Sequence, residues 1–295
     1  MLREDTVFGP IHSRRLGNSL GMNLLPTEGK FCNFDCIYCE CGWNKDGLDD
    51  KVLPTAAEVR SKLEDKLTQL LLDGTPVDSI TFSGDGEPTL NPEFPRIIDD
   101  TLKLRDAFCP GAKVSVLSNA TRAHIPEIRE ALMKVDNPIM KIDAPTDELV
   151  ARINHPAPGY SLQRVIEALE KFEGNFILQT MFLKTTTGDF STSLEMTPCH
   201  LEMTPCHLEM TPCHLDQAKR VERSQFDSSS PEVLLPWMDI VRHLRPREVM
   251  VYTIDRPTPE QGLQAFSQAE LQALVQPLID AILSIGLVAK NSPTL

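Results

Sequence analysis

Residues 30–43 read KFCNFDCIYCECGW, and within them Cys32, Cys36 and Cys39 have the spacing C-x3-C-x2-C. One short loop therefore brings three thiols together. It follows an apolar run, Leu20–Leu25, that reads as a strand, so the thiols stand at a strand's C-terminal end. Thiolates suit zinc or iron–sulfur clusters, and a structural zinc site wants four closed ligands. Cys41 offers a fourth, but the C-x-C step from Cys39 points its side chain awkwardly for the same ion. Two readings stand: a closed four-thiolate site, or a 4Fe-4S cluster held by three cysteines with one iron open to a small-molecule ligand.

Downstream of the loop, apolar β-branched runs alternate with helical periodicity, the signature of parallel strands joined by crossover helices. Beyond Leu20–Leu25 the predicted strands are Val77–Ser83, Lys113–Ser118, Pro138–Asp143, Phe176–Leu183 and Glu248–Ile254. The helix before the second strand has a capping-box pattern at Thr55 and Glu58, a stripe of Val59, Leu63, Leu67, Leu70 and Leu71, and a terminating Gly74. Further helices are predicted at Glu93–Phe108, Pro126–Met133, Ser161–Phe172 and Pro231–Leu244. A last one opens with Ser267 and Glu270, with Leu271, Leu274, Val275, Leu278, Ile279, Ile282 and Leu283 toward a core. Six strand–helix units are too few for a closed eight-stranded barrel. The expected architecture is α/β, a single domain over residues 1–290 with a partial (β/α)6 barrel.

With 295 residues, 41% of them hydrophobic, the chain can bury a substantial core, which excludes a disordered or fibrous protein. Lys and Arg total 29 against 42 Asp and Glu, a net charge of −13 that disfavours non-specific binding to nucleic acid or anionic membrane. The opening MLREDTVFGP lacks the apolar core of a signal peptide, and the most apolar stretch, 271–289, is interrupted by Gln272, Gln276, Pro277, Asp280 and Ser284. The expectation is a soluble, cytoplasmic protein with no membrane partner. Seven of the eight cysteines fall in two short stretches, and only Cys109 stands alone, a pattern of metal binding rather than of a disulfide scaffold.

The second cysteine stretch is LEMTPCH, repeated three times without a difference over residues 194–214. A seven-residue unit carrying a proline is too short for a solenoid repeat, and perfect identity is simply explained by tandem duplication in the gene. An exposed insertion is expected. The alternative is a zinc tract built from Cys199, His200, Cys206, His207, Cys213 and His214.

The second predicted strand runs into Ser83-Gly84-Asp85-Gly86-Glu87-Pro88. Glycines there let a ligand approach the backbone, and the exposed amides with Glu87 can receive a zwitterionic amino acid. Two further strand ends are polar, Ser118-Asn119 and Asp143, with groups suited to ribose hydroxyls or to helix capping. Gln179, Thr180 and Tyr252 are placed to face the same cavity. Arg14, Arg15 and Arg256 flank it as candidate substrate contacts, with Arg242, Arg245 and Arg247 near in sequence and Asn154 and His155 as further candidates. Arginine binds phosphate and carboxylate in a planar, bidentate way.

The cysteine loop, with Tyr38 just before the third cysteine, resembles the radical S-adenosylmethionine (radical SAM) superfamily. GPIHSRRLGNSLGMNLLP at 9–26, GDGEPTLNP at 84–92, LSNAT at 117–121 and YTIDRP at 252–257 extend the resemblance to iron–sulfur oxidoreductases related to the core of the tRNA wyosine-synthesising enzymes. It implies that Cys32, Cys36 and Cys39 hold a 4Fe-4S cluster and that S-adenosylmethionine is cleaved reductively to a 5'-deoxyadenosyl radical. Tyr38 would lie beside the adenine. Gly84, Gly86 and Glu87 match the family's GGEP segment, which receives the methionine ammonium; Asp85 replaces a glycine. An external electron donor such as flavodoxin or ferredoxin is also implied. Wyosine synthases carry a second cluster on upstream cysteines, whereas none precedes Cys32, so that reaction is not carried over. The substrate stays open among a small molecule, a tRNA and a protein activated as a glycyl radical. The different-class reading is a non-catalytic metal protein with Cys32, Cys36, Cys39 and Cys41 closed on one site.

Overall fold

Parallel strands need crossover connections, and the helical periodicities between the apolar runs supply them. The computed structural model describes residues 2–3, 5–13, 17–44, 52–185, 226–283 and 288–289. Strands β1 (Val7–Ser13), β2 (Gly17–Met22), β3 (Ser79–Phe82), β4 (Lys113–Ser118), β5 (Asn137–Lys141), β6 (Ile177–Met181), β8 (Glu248–Tyr252) and β10 (Val288–Ala289) form one sheet in the order β1-β2-β3-β4-β5-β6-β8-β10. From β2 to β10 every neighbour pairs in parallel, and only β1 runs antiparallel, against β2. The six expected strands are therefore β2, β3, β4, β5, β6 and β8, each ending at most three residues before its predicted end. Two short strands, β7 (Lys184–Thr185) and β9 (Leu263–Gln264), pair antiparallel beside this sheet. Among the described residues β1 and β10 are its edges, so the sheet is an open α/β one.

The helices are α1 (Ala56–Leu72), α2 (Phe94–Phe108), α3 (Pro126–Lys134), α4 (Asp147–Ile153), α5 (Leu162–Glu170), α6 (Pro231–Leu244) and α7 (Gln268–Leu283). The capping box of α1 is present: Glu58 N donates to Thr55 Oγ1 at 3.3 Å and Thr55 N to Glu58 Oε2 at 2.7 Å. Val59, Leu63, Leu67 and Leu70 are buried beneath it, but Leu71 is 62% exposed, since it lies beyond the edge of the stripe that meets the sheet. Alternation along the strands divides the sheet's two faces. Leu20, Met22, Ile80, Phe82, Val114, Val116, Met140, Leu178, Val249 and Val251 join the main core with the helices. On the other face Ile139, Ile177 and Met250 form a small apolar floor against Leu117. Ser19, Ser79 and Thr81 continue that face as a hydroxyl ladder, with Oγ atoms 2.8 and 3.0 Å apart.

The sequence reading placed no strand at β1 and no helix at α4. Gly9 and Pro10 fall inside β1, residues that read as a break, yet an edge strand tolerates proline because one side of its backbone needs no partner. The seven residues of α4 are too few for a periodic signal, although Thr146 caps it by accepting from Leu149 N at 3.2 Å. The heptapeptide repeat, with its proposed zinc tract, and Arg14 and Arg15 lie outside the described residues.

Candidate active site at the strand ends

Residues 30–44 leave the C-terminal end of β2 and fold between two neighbouring loops. Phe31 N donates to Asp85 O at 2.9 Å, and Glu87 N returns to Phe31 O at 3.2 Å. A Cβ on Gly86, whose φ is +145°, would stand 1.9 Å from Phe31 O, so only glycine permits this backbone approach. On the opposite side Asp35 N donates to Asn154 O at 2.8 Å, Ile37 N to Ile153 O at 3.0 Å, and Ala157 N to Asn33 O at 2.8 Å. The unanticipated α4 thus supplies one wall of the cysteine loop.

Inside the loop lies Lys30, 2% exposed, with Nζ 2.8 Å from Asp35 Oδ1 and 3.3 Å from Gly42 O. Burial opposes its charge, but the sulfurs of Cys39, Cys32 and Cys36 together with Asp35 outweigh burial and hold it protonated. Asn44 closes the loop: its N donates to Asp35 Oδ1 at 2.9 Å and its Nδ2 to Cys32 O at 3.0 Å. Nothing in the sequence marked Lys30 or Asn44, because a lysine beside a cysteine motif reads as solvated surface.

Cys36 is buried and Cys32 and Cys39 are half-buried. Burial pushes the thiols of Cys32 and Cys36 up, with Glu87 adding to the rise at Cys32. A hydrogen bond from the Cys41 thiol brings Cys39 down to about 6 and raises Cys41 in turn. Cys41 Sγ also lies 3.8 Å from Asp85 Oδ1. Among the described residues no group of three or more His, Cys, Asp or Glu side chains is gathered for a single metal ion.

Glu87 is 2% exposed and accepts four bonds, from Thr89 N, Thr89 Oγ1 and Ser118 Oγ on Oε1 and from Asn119 N, at 2.7 Å, on Oε2. Burial raises its pKa against those donors. The same cluster reaches the cysteine loop: Asn119 Nδ2 lies 2.7 Å from Asn33 Oδ1 and 3.9 Å from Cys32 Sγ. A Cβ on Gly84 would meet Asn23 Oδ1 at 2.1 Å, so this glycine too is a close approach. Asp85, where the family pattern has glycine, is fully buried and accepts from Arg3 N at 2.7 Å and Asn23 Nδ2 at 3.3 Å, tying the N-terminal segment to the site.

The rest of the site surrounds Tyr38. Its hydroxyl donates to Asp143 Oδ2 and accepts from Asn154 Nδ2 at 3.0 Å and Lys141 Nζ at 3.1 Å. Asp143 also takes Met181 N at 2.8 Å and Asn154 Nδ2 at 2.7 Å, and Asn154 Nδ2 lies 3.3 Å from Cys36 Sγ. Lys141 further donates to Tyr252 Oη, and burial is outweighed by Asp143 and Tyr252, so its ammonium keeps its proton. Arg256 reaches this end but pairs with Glu40 at 2.8 Å, both exposed.

The loop residues, Tyr38, Gly84, Gly86, Glu87, Ser118, Asn119 and Asp143 are therefore brought to one end of the sheet. Gln179 is half-buried on the strand face that carries Met181, whereas Thr180 is turned to the core, donating to Ile142 O at 2.7 Å and accepting from Trp237 Nε1 at 3.1 Å. Arg247 belongs to the opposite end, bonded to Asn175, Asn137 and the Asp136 carbonyl, and Arg242 is held by Asp239 on α6. His155 stacks on Trp43 with centroids 6.0 Å apart.

The chain belongs to the radical SAM superfamily, whose model matches residues 29–188. It is thus an enzyme of that superfamily. It is 29% identical over 182 residues to a UPF0026 protein of Methanocaldococcus jannaschii, covering 60% of this chain and 53% of the relative. Identity to a UPF0026 protein of Helicobacter pylori is 31% over 184 residues, 60% of this chain and 56% of the relative. The chain spans little more than half the length of these relatives. Among solved structures, a radical SAM methyltransferase from Sphaerobacter thermophilus superposes with TM-score 0.59 at 15% identity, over 93% of this chain and 65% of that one. Streptococcus suis SuiB bound to S-adenosylmethionine gives 0.58 at 15%, over 92% and 50%. TYW1 with a lysine-pyruvate adduct gives 0.55 at 13%, over 89% and 73%. At such identities these likenesses show the fold alone. No helix among the described residues is long and apolar enough to cross a membrane.

Proposed function

We propose that Cys32, Cys36 and Cys39 hold a 4Fe-4S cluster with one open iron, and that the residues around them bind S-adenosylmethionine for reductive cleavage. The observation that carries this reading is the backbone-to-backbone seam between the cysteine loop and Gly84–Glu87, which ties the loop of three thiols to the turn of the buried Glu87 through Gly86, where a Cβ would strike Phe31 O. Three soft sulfur donors suit an iron–sulfur cluster, whereas a structural zinc site closes on four ligands. When bound, the cluster and S-adenosylmethionine supply a 5'-deoxyadenosyl radical able to abstract hydrogen from a substrate.

The chain's own residues do the holding. Lys30 offsets the negative charge of the thiolates from inside the loop. Glu87 Oε2, which among the described residues accepts from Asn119 N alone, retains a lone pair for an ammonium donor. Asn154 and Asp143 fix the Tyr38 ring through its hydroxyl, leaving the ring face to flank an adenine. Ser118 and Asn119 stand at the same mouth for polar ligand contacts. The electron comes from an external donor of the flavodoxin or ferredoxin kind.

The test is anaerobic reconstitution with iron and sulfide followed by reduction in the presence of S-adenosylmethionine. Formation of 5'-deoxyadenosine with about four irons per chain is expected. A stable metal site that yields no cleavage product would instead favour the four-cysteine metal protein.

A further inference from the structure

A second cavity, of about 350 Å³ and within the range typical of small-molecule sites, lies between Asn33-Phe34 of the cysteine loop, the turn after β4 and the segment joining α4 to α5. None of the residues assigned to the cluster or to S-adenosylmethionine lines it. Phe34, Ile125 and Tyr160 give it apolar walls, with the Phe34 and Tyr160 rings packed edge to face at 5.5 Å between centroids.

The charge in this lining is one-sided. Arg122 and Arg164 both line the cavity, and among the described lining residues there is no Asp or Glu. In a chain of net charge −13 that is a departure. Around the cysteine loop Lys30, Lys141 and Arg256 each have a carboxylate, from Asp35, Asp143 and Glu40. The half-buried Arg122 has no hydrogen bond or ion pair with another described residue, and its Nε is shut from solvent without an acceptor. Arg164 is held only by Gly159 O, 3.3 Å from Nη1. Burial and Asp147 push the Tyr160 phenol up, so an acid does lie near, but Asp147 is taken up by Leu162 N at 2.6 Å. A guanidinium partly removed from water without acceptors carries a desolvation cost that a bound anion offsets.

Two unpaired guanidiniums at one cavity call for two negative charges on one small group. A phosphate monoester is mostly a dianion above a pH of about 6, and its oxygens accept the planar N–H forks of arginine. A carboxylate or a phosphodiester brings a single charge. The apolar walls suit an organic remainder. We infer that this cavity binds a small organic phosphate monoester, with Arg122 and Arg164 on the phosphate and Phe34, Ile125 and Tyr160 against the organic part. The site is built by the chain itself and does not depend on the radical SAM reading.

The experiment is calorimetry on the full-length, anaerobically reconstituted protein in a phosphate-free buffer above the second phosphate pKa. The probes are phenyl phosphate, phenyl sulfate, inorganic phosphate and a short oligoribonucleotide without terminal phosphates. Phenyl phosphate should bind at least about tenfold tighter than phenyl sulfate, which carries one charge fewer, and tighter than inorganic phosphate, which has no ring for the apolar walls. Arg122→Gln and Arg164→Gln should each weaken phenyl phosphate about tenfold or more, whereas Lys171→Gln, at the other end of α5, should leave it unchanged. If Arg122→Gln fails to fold, Arg164→Gln decides. Absence of saturable binding, equal affinity for phenyl sulfate or inorganic phosphate, or unchanged affinity in the folded arginine variants overturns the inference. So does competition between phenyl phosphate and S-adenosylmethionine, which would put the probe in the cofactor's place. An oligoribonucleotide that binds more tightly than phenyl phosphate and needs the same arginines would overturn it in favour of an RNA backbone.

Discussion

The Lys30 ammonium lies 2.8 Å from the Asp35 carboxylate with only 1% of the lysine side chain exposed, inside the loop that carries Cys32, Cys36 and Cys39. A charge so deeply buried is tolerated only when paired and hydrogen-bonded. Asp35 is 29% exposed and also accepts Asn44 N, so the pair is a clasp that joins the start, middle and end of the loop.

Lys30→Met should therefore destabilise the protein by about 2 kcal/mol, read by urea denaturation of the metal-free chain. It should also lower the midpoint potential of the reconstituted cluster, because a positive charge favours the reduced state. Lys30→Arg should recover part of the potential. A Lys30→Met protein of wild-type stability would show that Asn44 alone holds the loop.

Replacing Cys32, Cys36 or Cys39 by Ala should abolish iron retention, while Cys41→Ala should keep it. Cys41 is engaged with Asp85 at 3.8 Å and with the sulfur of Cys39, a position that supports the neighbouring ligand without requiring a fourth one. Equal loss of iron in all four variants, measured by iron and sulfide content, would sink the open-iron arrangement.

Legibility followed periodicity and spacing. The capping boxes at Thr55–Glu58 and Ser267–Glu270 and the span Pro231–Leu244 were readable because each is set by residues three or four apart. The cysteine spacing and the GDGEP turn pointed to one end of the sheet for the same reason. What escaped depends on long-range contact: α4 earns its place through Ile153 and Asn154, whose partners lie more than a hundred residues upstream. Lys141 looked like one polar residue in a strand, and only folding brings Tyr38 and Tyr252 to it from either side. Arg247 is near Arg256 in sequence, yet it stands at the other end of β8, bonded to Asn175 and Asn137, because a whole strand's length separates the two.

Asp136 offers a pH-dependent test away from the site. Burial alone would raise its pKa, but bonds from Val114 N at 2.9 Å, Lys113 Nζ at 3.1 Å and Arg105 Nη1 at 2.8 Å outweigh that and hold it below the ordinary carboxylate value. A depressed folded pKa means stability that is present above the unfolded value, near 3.9, and lost as pH falls through the lower folded one. Asp136→Asn should cost about 1–3 kcal/mol at pH 7, and the gap to wild type should narrow below about pH 4. A gap constant from pH 7 to pH 3 would show that the loss is one of packing rather than charge.

Glu87 distinguishes a ligand contact from a strut. Its four accepted bonds join the Gly84–Glu87 turn to Ser118 and Asn119, so Glu87→Ala leaves buried donors unpaired and should lower stability by about 1–3 kcal/mol. That loss alone says nothing of S-adenosylmethionine. Glu87→Gln is the sharper variant, because the amide keeps the volume and one acceptor oxygen while removing the negative charge that an ammonium would meet. If Oε2 receives the methionine ammonium, Glu87→Gln should retain the cluster yet weaken S-adenosylmethionine binding about tenfold or more by calorimetry, since bonds to charged groups carry roughly 1.5–3 kcal/mol. Unchanged affinity alongside a lowered melting temperature would make Glu87 a brace for the Ser118–Asn119 turn, and the ammonium would then have to be met by the backbone around Gly84 and Gly86.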